Sequence, residues 1–344
     1  MALMTETQAM RITDGYSFDD VLIIPQYSEV ASRSLCDITP TLPKMQLNIP
    51  VFAANMDTIC GMSMVKKMAA LGGCGILHRY MPSSSTHNFI QEWDEDLGTL
   101  IVSVGTLEKD KQRINSVLCS TTKNLGICVD IAHGNSKNMI DTLDYIRNSG
   151  VSLDGPVIAG NVCTYDGACR LFDAGADIVK VGVGSGSVCT TRSKTGCGLP
   201  QLVSIQTCAA AGPVIADGGI RYPGDAAKAL AMGAQAVMVG GMLAGTDCVP
   251  KYAHAGKSMP FRGMASKEAR EDFQQDPNHS EGVALTVVKQ GSGSTEKVIN
   301  NLVEGIMSSM SYVGATTLEE FREKAIFVKI TPSAVKENGA HHGG

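Results

Sequence analysis

The chain has 344 residues, 44% of them hydrophobic and 18% charged, and its formal net charge is −5 at pH 7. This composition predicts a globular protein with a large core; it excludes a dominant nucleic-acid partner, because no basic block is present, and a membrane span, because no apolar run approaches roughly 18 residues. The first 15 residues lack the pattern of a secretory signal peptide, and 11 cysteines without CxxC spacing predict reduced thiols in a cytoplasmic protein, with neither a disulfide framework nor a zinc site.

A short apolar run that ends in glycine or a polar residue recurs eight times along the chain. The runs are rich in Val and Ile, and their apolar length of about four to six residues is typical of strands covered on both faces. They occupy residues 49–58, 73–79, 99–106, 125–136, 155–162, 176–187, 212–220 and 234–243. Amphipathic helices are predicted between them, at residues 63–72, 108–120, 136–150, 165–175, 199–212 and 223–233.

Eight strand–helix units predict an α/β protein with the (β/α)8 (TIM) barrel fold, as one domain over residues 1–344. An open doubly wound sheet is the alternative, although it seldom needs eight parallel strands. The active site of such a barrel forms where its strands end. The residues at these ends are Asp57, His78, Asp130, Asn161, Cys189, Asp217, Gly240 and Gly241. The polar segment 246–295 shows no clear strand pattern, and its length predicts a mobile flap.

Several residues near these ends indicate chemistry. Two Gly-Gly pairs close the last two strands, and together with Ser187 they favour a phosphate site over simple tight turns. Asp217 suits a ribose diol, which offers two hydrogen-bond donors, although a capping role is the alternative. Cys189 lies in a loop of small residues, so a reactive thiol and a structural one are about equally supported. Glu281, taken alone, is expected to be a solvated surface charge.

The loop around Cys189 resembles the cysteine loop of the IMP dehydrogenase and GMP reductase family, in the stretch KVGVGSGSVCTTRSKTG (180–196). Further stretches match the family in order along nearly the whole chain. They are YSFDDVLIIP (16–25), AANMDT (53–58), AGNV (159–162), ADGGI (216–220), PGDAAKAL (223–230), VGGMLAGT (239–246), FRGMAS (261–266) and YVGA (312–315). The resemblance implies the same barrel, generally as a homotetramer, acting on a purine nucleotide with a nicotinamide cofactor.

The resemblance also implies a role for each site residue. Cys189 would attack C2 of the purine ring to form a covalent intermediate, while Thr191 and Glu281 would handle the protons of departing ammonia. The substrate would be held by Ser187, Asp217, Gly218, Gly219, Gly240, Gly241, Gly263, Met264, Ala265, Ser280 and Gly282. The cofactor would be held by Ser32, Arg33, Arg79, Asp130, Ala132, His133, Gly134, Gly182 and Tyr312. Cationic groups in that set favour the 2′-phosphate of NADPH. The carbonyls of Gly184, Gly186 and Cys189 match a monovalent cation site suited to K+.

Four features favour the GMP reductase branch, which converts GMP to IMP and ammonia with NADPH, over IMP dehydrogenase, which oxidises IMP to XMP with NAD. No inserted regulatory (CBS) domain interrupts residues 79–106, and AANMDT is closer to the reductase form than to the SSAMDT of dehydrogenases. The residues between Met264 and Glu281 contain neither a tyrosine nor the Arg-Tyr pair with which dehydrogenases activate water. Phe261 stands where dehydrogenases usually have a phosphate-binding tyrosine.

Other residues depart from the reductase pattern. The stretch AHGNS (132–136) is closer to the dehydrogenase form, and Ser185, Ala265 and Val283 replace residues common in the family. The segment before Glu281 lacks the arginine that some reductases place on the nucleotide. The resemblance therefore implies GMP reductase, with IMP dehydrogenase as the runner-up. A non-catalytic purine-nucleotide-binding barrel and a flavin-binding barrel are weaker alternatives.

Overall fold

The computed structural model describes residues 14–120, 122–151, 153–250, 258–273, 276, 278, 280–289 and 293–338. The signal-peptide expectation rests mainly on residues 1–13, which lie outside the described residues, as do parts of segment 246–295. Eight parallel strands form a closed barrel in the order in which they follow along the chain. A short strand, β1 (Val21–Ile23), precedes the barrel, whose strands are β2 (Val51–Ala53), β3 (Cys74–Leu77), β4 (Leu100–Val104), β5 (Leu125–Asp130), β6 (Val157–Val162), β7 (Ile178–Val181), β8 (Val214–Asp217) and β9 (Ala236–Val239). The predicted barrel is confirmed, and the open sheet is excluded.

A helix follows each barrel strand in sequence. These helices are α1 (Met62–Ala70), α2 (Ser83–Gln91), α3 (Asp110–Leu118), α4 (Lys137–Arg147), α5 (Tyr165–Asp173), α7 (Gln201–Ala209), α8 (Pro223–Ala231) and α10 (Thr295–Val313). The loops after β7 and β9 add α6 (Thr191–Thr195) and α9 (Lys267–Asp272), and the C-terminal part adds α11 (Leu318–Lys324) and α12 (Pro332–Val335). Within the described ranges, no helix combines the length and the apolar character that crossing a membrane requires.

The barrel interior fixes which residues face the site. Side chains alternate between the two faces of a strand, so every second residue points inward. One interior layer contains Phe52, Ile76, Ile101, Cys128, Ile158, Ile178 and Ile215. Two residues beyond this layer, on β5, β7 and β8, the inward positions are Asp130, Lys180 and Asp217. The end of the barrel at which the C-terminal ends of the strands lie is therefore polar.

Segment 246–295 contains an antiparallel strand pair, β10 (Ser258–Arg262) and β11 (Ala284–Lys289), with α9 between the two strands. This finding corrects the expectation that the segment has no strand pattern. Pro260 lies at a shift of register in β10. Because proline cannot donate to a sheet, such a residue argues against a strand when the sequence is read alone. We refer to this hairpin with α9 as the flap.

A second small sheet lies outside the barrel. Strand β1 pairs antiparallel with β12 (Phe327–Lys329), and Leu22 lies opposite Val328. Both of these side chains are exposed. The segments that precede and follow the barrel strands in sequence are thus joined by a small sheet, and its outer face is apolar.

Candidate active site

Two neighbouring cavities open where the barrel strands end. The first, of about 490 Å³, is lined by the glycine pairs 218–219 and 240–241, and we call it the glycine cavity. The second, of about 370 Å³, contains Cys189 and Glu281, and we call it the thiol cavity. Asp217 belongs to the walls of both. A single ligand can therefore extend from one cavity into the other.

The glycine cavity has bare main chain in its wall because side chains would not fit there. Gly218 and Gly219 adopt left-handed φ angles of 99° and 82°. A Cβ atom on Gly218 would lie 2.6 Å from Oγ of Ser185. That hydroxyl donates to the carbonyl of Asp217 at 3.0 Å, so Ser185, a departure from the family pattern, braces one loop against the other. Main-chain N–H groups at a bare glycine loop are suited to a phosphate.

A chain of hydrogen bonds joins the thiol to a carboxylate. Cys189 is exposed to the cavity, and its Sγ donates to Thr191 Oγ1 at 3.2 Å. Thr191 Oγ1 donates in turn to Glu281 Oε2 at 2.9 Å. A proton can therefore pass from the sulfur to Glu281 through one buried hydroxyl, which would leave a thiolate and a protonated carboxyl. The three residues expected to carry the chemistry are brought together.

Glu281 reaches the thiol because the flap is hydrogen-bonded to the cysteine loop. Thr190 N donates to the Glu281 carbonyl at 3.0 Å, and Val283 N donates to the Val188 carbonyl at 3.0 Å. Glu281 N donates to the Ala265 carbonyl at 2.9 Å, which fixes the other side of the same segment. The expectation that Glu281 is a solvated surface charge is therefore wrong, because backbone contacts remote in sequence hold it in the cavity.

An ammonium group buried beneath the cleft joins two carboxylates. Lys180 is 1% exposed, and its Nζ lies 2.6 Å from Asp130 Oδ1 and 2.9 Å from Asp217 Oδ2. Asn161 Nδ2 donates to the same Asp217 oxygen at 2.9 Å. Burial opposes the charge on Lys180, but the two carboxylates outweigh it and raise the pKa of the amine above its usual value. Burial also opposes ionisation of Asp130, and Lys180 outweighs it, so the pKa of this carboxyl is lowered. Lys180 and Asp130 are both charged at neutral pH.

A buried ion pair anchors the flap to the barrel. Arg262 of β10 is 5% exposed, and its Nη2 lies 2.6 Å from Oδ2 of Asp57, which follows β2. Its Nη1 lies 2.6 Å from Asp272 in α9. Phe273, the next residue, stacks on Tyr80 with 4.0 Å between ring centroids. These contacts hold the loop between β10 and α9 against the cleft.

Most residues predicted for the site line one of the two cavities. The glycine cavity contains Ser187, Asp217, Gly218, Gly219, Gly240 and Gly241. The thiol cavity contains Arg79, Asp130, Ala132, Gly182, Gly184, Gly186, Cys189, Thr191, Gly263, Met264, Ala265, Glu281 and Gly282. Ser280 is not part of the wall, and its carbonyl and hydroxyl accept hydrogen bonds from Lys194. His133 and Gly134 follow β5 without lining either cavity.

Three residues predicted to bind the cofactor lie elsewhere. Ser32, Arg33 and Tyr312 line neither cavity. Arg33 donates to Ser308 Oγ at 3.1 Å and lies 3.6 Å from Glu304, both in α10. Tyr312, near the end of the same helix, is 67% exposed. Within one protomer, these three residues are therefore not close to the predicted cofactor-binding residues that line the thiol cavity.

Sequence reasoning missed four polar residues of the thiol cavity: Asn55, Tyr80, Lys180 and Arg270. Lys180 could have been found, because it lies two residues after the inward-facing Ile178 and so shares its face. Asn55, whose side chain donates to Ser103 Oγ at 3.0 Å, lies in a family motif but carried no chemical signal of its own. Arg270 belongs to α9, and only the docking of the flap places it at the cavity.

Comparisons with known proteins point to one family. The family model described as the IMP dehydrogenase / GMP reductase domain matches residues 15–341. The chain is similar to GMP reductase of Vibrio cholerae, with 37% identity over 334 residues that cover 91% of this chain and 94% of that protein. It is also similar to inosine-5′-monophosphate dehydrogenase of Cryptosporidium parvum, with 33% identity and 96% of each chain covered.

A solved structure has the same architecture. The chain superposes on a cysteine-to-alanine variant of Trypanosoma brucei GMP reductase in complex with guanosine 5′-monophosphate, with a TM-score of 0.89 and 26% sequence identity. The match covers 98% of this chain and 100% of that one.

Proposed function

The chain belongs to the IMP dehydrogenase / GMP reductase family, and from this premise we propose that it is a GMP reductase, which converts GMP and NADPH to IMP, ammonia and NADP+. The observation that carries the proposal is the hydrogen-bonded chain from Cys189 through Thr191 to Glu281. An amine leaves poorly unless it is protonated, so the reaction needs a general acid beside the nucleophile. A carboxyl group one hydroxyl away from the thiol meets this need.

The three residues account for the protons of the deamination step. The thiol proton passes through Thr191 to Glu281, and the sulfur of Cys189 adds to C2 of guanine. Glu281 then gives the proton to the 2-amino group, so the C–S bond forms, the C–N bond breaks and the thiol proton becomes the third hydrogen of ammonia. When bound, NADPH supplies the hydride that replaces sulfur at C2. Cys189 then leaves as a thiolate, and because Glu281 has already given its proton to ammonia, the thiol is restored by a proton taken up from solvent.

The two cavities divide the substrate between them. The 5′-phosphate fits the glycine cavity, where Ser187 and the glycine pairs offer hydroxyl and N–H donors. The ribose lies at Asp217, which both cavities share. The guanine base then reaches the thiol cavity, between Cys189 and the flap residues Met264 and Ala265. In this position C2 of the base faces the sulfur.

The thiol cavity also fits one end of a phosphorylated nicotinamide cofactor. Arg79 lines the cavity, and its guanidinium lies 4.8 Å from the ring centroid of Tyr80. A guanidinium held against an aromatic ring is suited to a phosphate group, either of the pyrophosphate that both cofactors contain or of the 2′-phosphate that only NADPH carries. Asp130, Ala132 and Gly182 complete this side of the proposed cofactor site.

We also propose a K+ site in the cysteine loop. The carbonyls of Gly184, Gly186 and Cys189 would be its ligands, since carbonyl oxygens can replace the hydration shell of K+. Gly184 has a left-handed φ of 74°, which bends the loop at this point. The neighbouring hydroxyl of Thr190 is buried and makes no hydrogen bond within the described part of the chain, so an ion bound by oxygen atoms would give it a partner.

The assembly we propose is a homotetramer in the cytoplasm. Leu22 and Val328 form an exposed apolar face on the sheet of β1 and β12, which a second copy could cover. Ser32, Arg33 and Tyr312 do not line the cleft of their own protomer, so their role in cofactor binding requires the cleft of a neighbouring protomer. A reducing compartment fits 11 cysteines that are all unpaired.

The test follows the absorbance band of reduced nicotinamide with GMP plus NADPH, and separately with IMP plus NAD. We expect loss of the band in the first mixture and no gain in the second. A gain in the second mixture with formation of XMP would instead favour IMP dehydrogenase, the second candidate, which the similarity to the Cryptosporidium parvum enzyme supports. A non-catalytic nucleotide-binding barrel would give neither signal.

The nucleophile has a matched control in the same region. Cys189→Ser should abolish turnover and retain GMP binding, whereas Cys197→Ser should change neither, because Cys197 is also exposed but lines neither cavity. Normal turnover by Cys189→Ser would reject the covalent mechanism.

A further inference from the structure

We propose that Lys180 is a positioning residue for the ribose subsite, where it holds the carboxylate of Asp217 in the one orientation that receives the sugar hydroxyls. The inference rests on the proposed purine nucleotide substrate. Lys180 does not touch the nucleotide, and its effect passes through Asp217. Its role follows from where the barrel places its amine, from what that amine contacts and from the oxygen that it leaves available.

The fold provides a path for the Lys180 side chain across the barrel. Lys180 lies on β7, and its two carboxylate partners belong to β8 and β5, on either side. Strand β6 lies between β5 and β7 and has Gly160 at the crossing point, where a Cβ atom would lie 2.7 Å from Lys180 Cβ. The absence of a side chain there lets the lysine reach over β6 to Asp130.

The two oxygens of Asp217 have different surroundings. Oδ2 accepts from Lys180 Nζ and from Asn161 Nδ2, each at 2.9 Å. Oδ1 accepts no hydrogen bond from any residue in the described ranges, and the side chain keeps 21% of its surface exposed toward the cleft. Rotation of the carboxylate would break both bonds to Oδ2, one of which joins opposite charges. The oxygen presented to a ligand is therefore fixed.

Removal of the ammonium should release this carboxylate. Asp130 and Asp217 each place an oxygen within 3 Å of Lys180 Nζ, so without Lys180 two carboxylates would share a buried site with no cation between them. When two carboxylates share a buried site, their repulsion raises the pKa of one of them until it takes up a proton. Asp217 would then turn or become neutral, and the hydrogen bonds to the ribose would lose their charge-assisted character. Bonds of this kind contribute about tenfold or more to binding.

The experiment compares the binding of GMP with that of 2′,3′-dideoxy-GMP, by calorimetry on the full-length protein. The wild type should bind GMP more tightly, because only GMP offers hydroxyls to Asp217. In Lys180→Met, GMP binding should weaken about tenfold while dideoxy-GMP binding changes little, so the ratio of the two dissociation constants falls toward one. Lys180→Arg, which restores a cation, should recover part of the ratio. Lys44→Met is the control, because it removes an amine 3.1 Å from Asp177 outside the cleft and should leave the ratio unchanged.

Two further variants keep the proposal testable if Lys180→Met does not fold. Lys180→Gln removes the charge with a smaller change in polarity, and Asn161→Ala removes the other donor to Oδ2; both should lower the ratio. In a double-mutant cycle the effects of Lys180→Gln and Asp217→Asn should not add, because both act on one carboxylate.

The proposal is overturned if Lys180 variants weaken both ligands by the same factor, which would mean that the lysine only supports the fold. Full additivity in the cycle, or a wild type that does not distinguish the ligands, would overturn it as well. Failure of the proposed function looks different. If the wild type prefers GMP over dideoxy-GMP and Lys180→Met removes the preference, while NADPH is not oxidised, the positioning role stands and the reductase assignment falls.

Discussion

Replacement of Glu281 by glutamine tests the proton path directly. The amide has nearly the shape of the carboxylate, and its oxygen can still accept the bond that Thr191 donates at 2.9 Å. The three backbone hydrogen bonds that join residue 281 and its neighbours to Ala265 and the cysteine loop do not involve the side chain. Glu281→Gln should therefore keep the cleft intact and lose only the group that accepts and returns a proton.

The expected loss is that of a positioned general acid, about 100- to 10,000-fold in turnover of GMP with NADPH. This range corresponds to about 3 to 5 kcal/mol of barrier height. GMP binding, measured by calorimetry, should stay close to that of the wild type. Hydride transfer in the opposite direction, from IMP to NADP+, needs Glu281 to accept the thiol proton but not to protonate a leaving amine, so a single turnover monitored by NADPH formation should be less affected.

The matched control is Glu271→Gln. Glu271 is a half-exposed carboxylate in α9 that lies 3.7 Å from Lys267. Its replacement should leave GMP turnover, GMP binding and the reverse single turnover unchanged. Undiminished deamination by Glu281→Gln would refute the assignment of the acid. A parallel loss of GMP binding and deamination would refute the argument that the side chain acts only on protons.

Three other perturbations follow from the same geometry. Thr191→Val should lower turnover because it removes the hydroxyl between sulfur and carboxyl, whereas Thr191→Ser should retain most of the wild-type turnover. Equal steady-state rates for Thr191→Val and the wild type would contradict proton transfer through this hydroxyl. Arg262→Met should lower the free energy of unfolding by about 3–5 kcal/mol in thermal denaturation, because it removes the guanidinium that lies 2.6 Å from the carboxylate of Asp57, a side chain only 2% exposed. Lys67→Met, which breaks an exposed pair, should lower this free energy far less. Burial lowers the pKa of His78 to about 4, below its value near 6.5 in the unfolded chain, so stability should decline as pH falls from about 6.5 to 4, and His78→Gln should flatten that part of the profile.

The sequence predicted the barrel because each strand is a short apolar run with a clear end. It did not predict α2, whose sequence SSSTHNFIQ is poor in helix-forming residues and which forms because Phe89 and Ile90 are buried. Helix α10 is a different case. Its buried residues Ile299, Leu302, Ile306, Met310 and Val313 recur every three or four positions, so the signal was present in the sequence.

The site residues divide along the same line. Asp217 and the glycine pairs end predicted strands, so the barrel topology alone brings them to one edge. Thr191 comes two residues after Cys189, so the loop that positions the thiol also positions the threonine hydroxyl. Glu281 could be assigned only through the family resemblance, because its place depends on how the flap hairpin docks, and no local pattern encodes that docking. Pro260 also concealed the first strand of that hairpin.

Lys180 shows how far local rules could have gone. A lysine at the end of an apolar strand is ordinarily interpreted as solvent-exposed, because an isolated buried amine is costly. The alternation of strand faces instead requires residue 180 to point inward with Ile178, and inward positions on β5 and β8 are aspartates. A buried cation is tolerated where two carboxylates face it. The lysine on β7 and the aspartates on β5 and β8 can therefore be predicted together. An inward-facing amine between two inward-facing carboxylates indicates a polar network beneath the substrate.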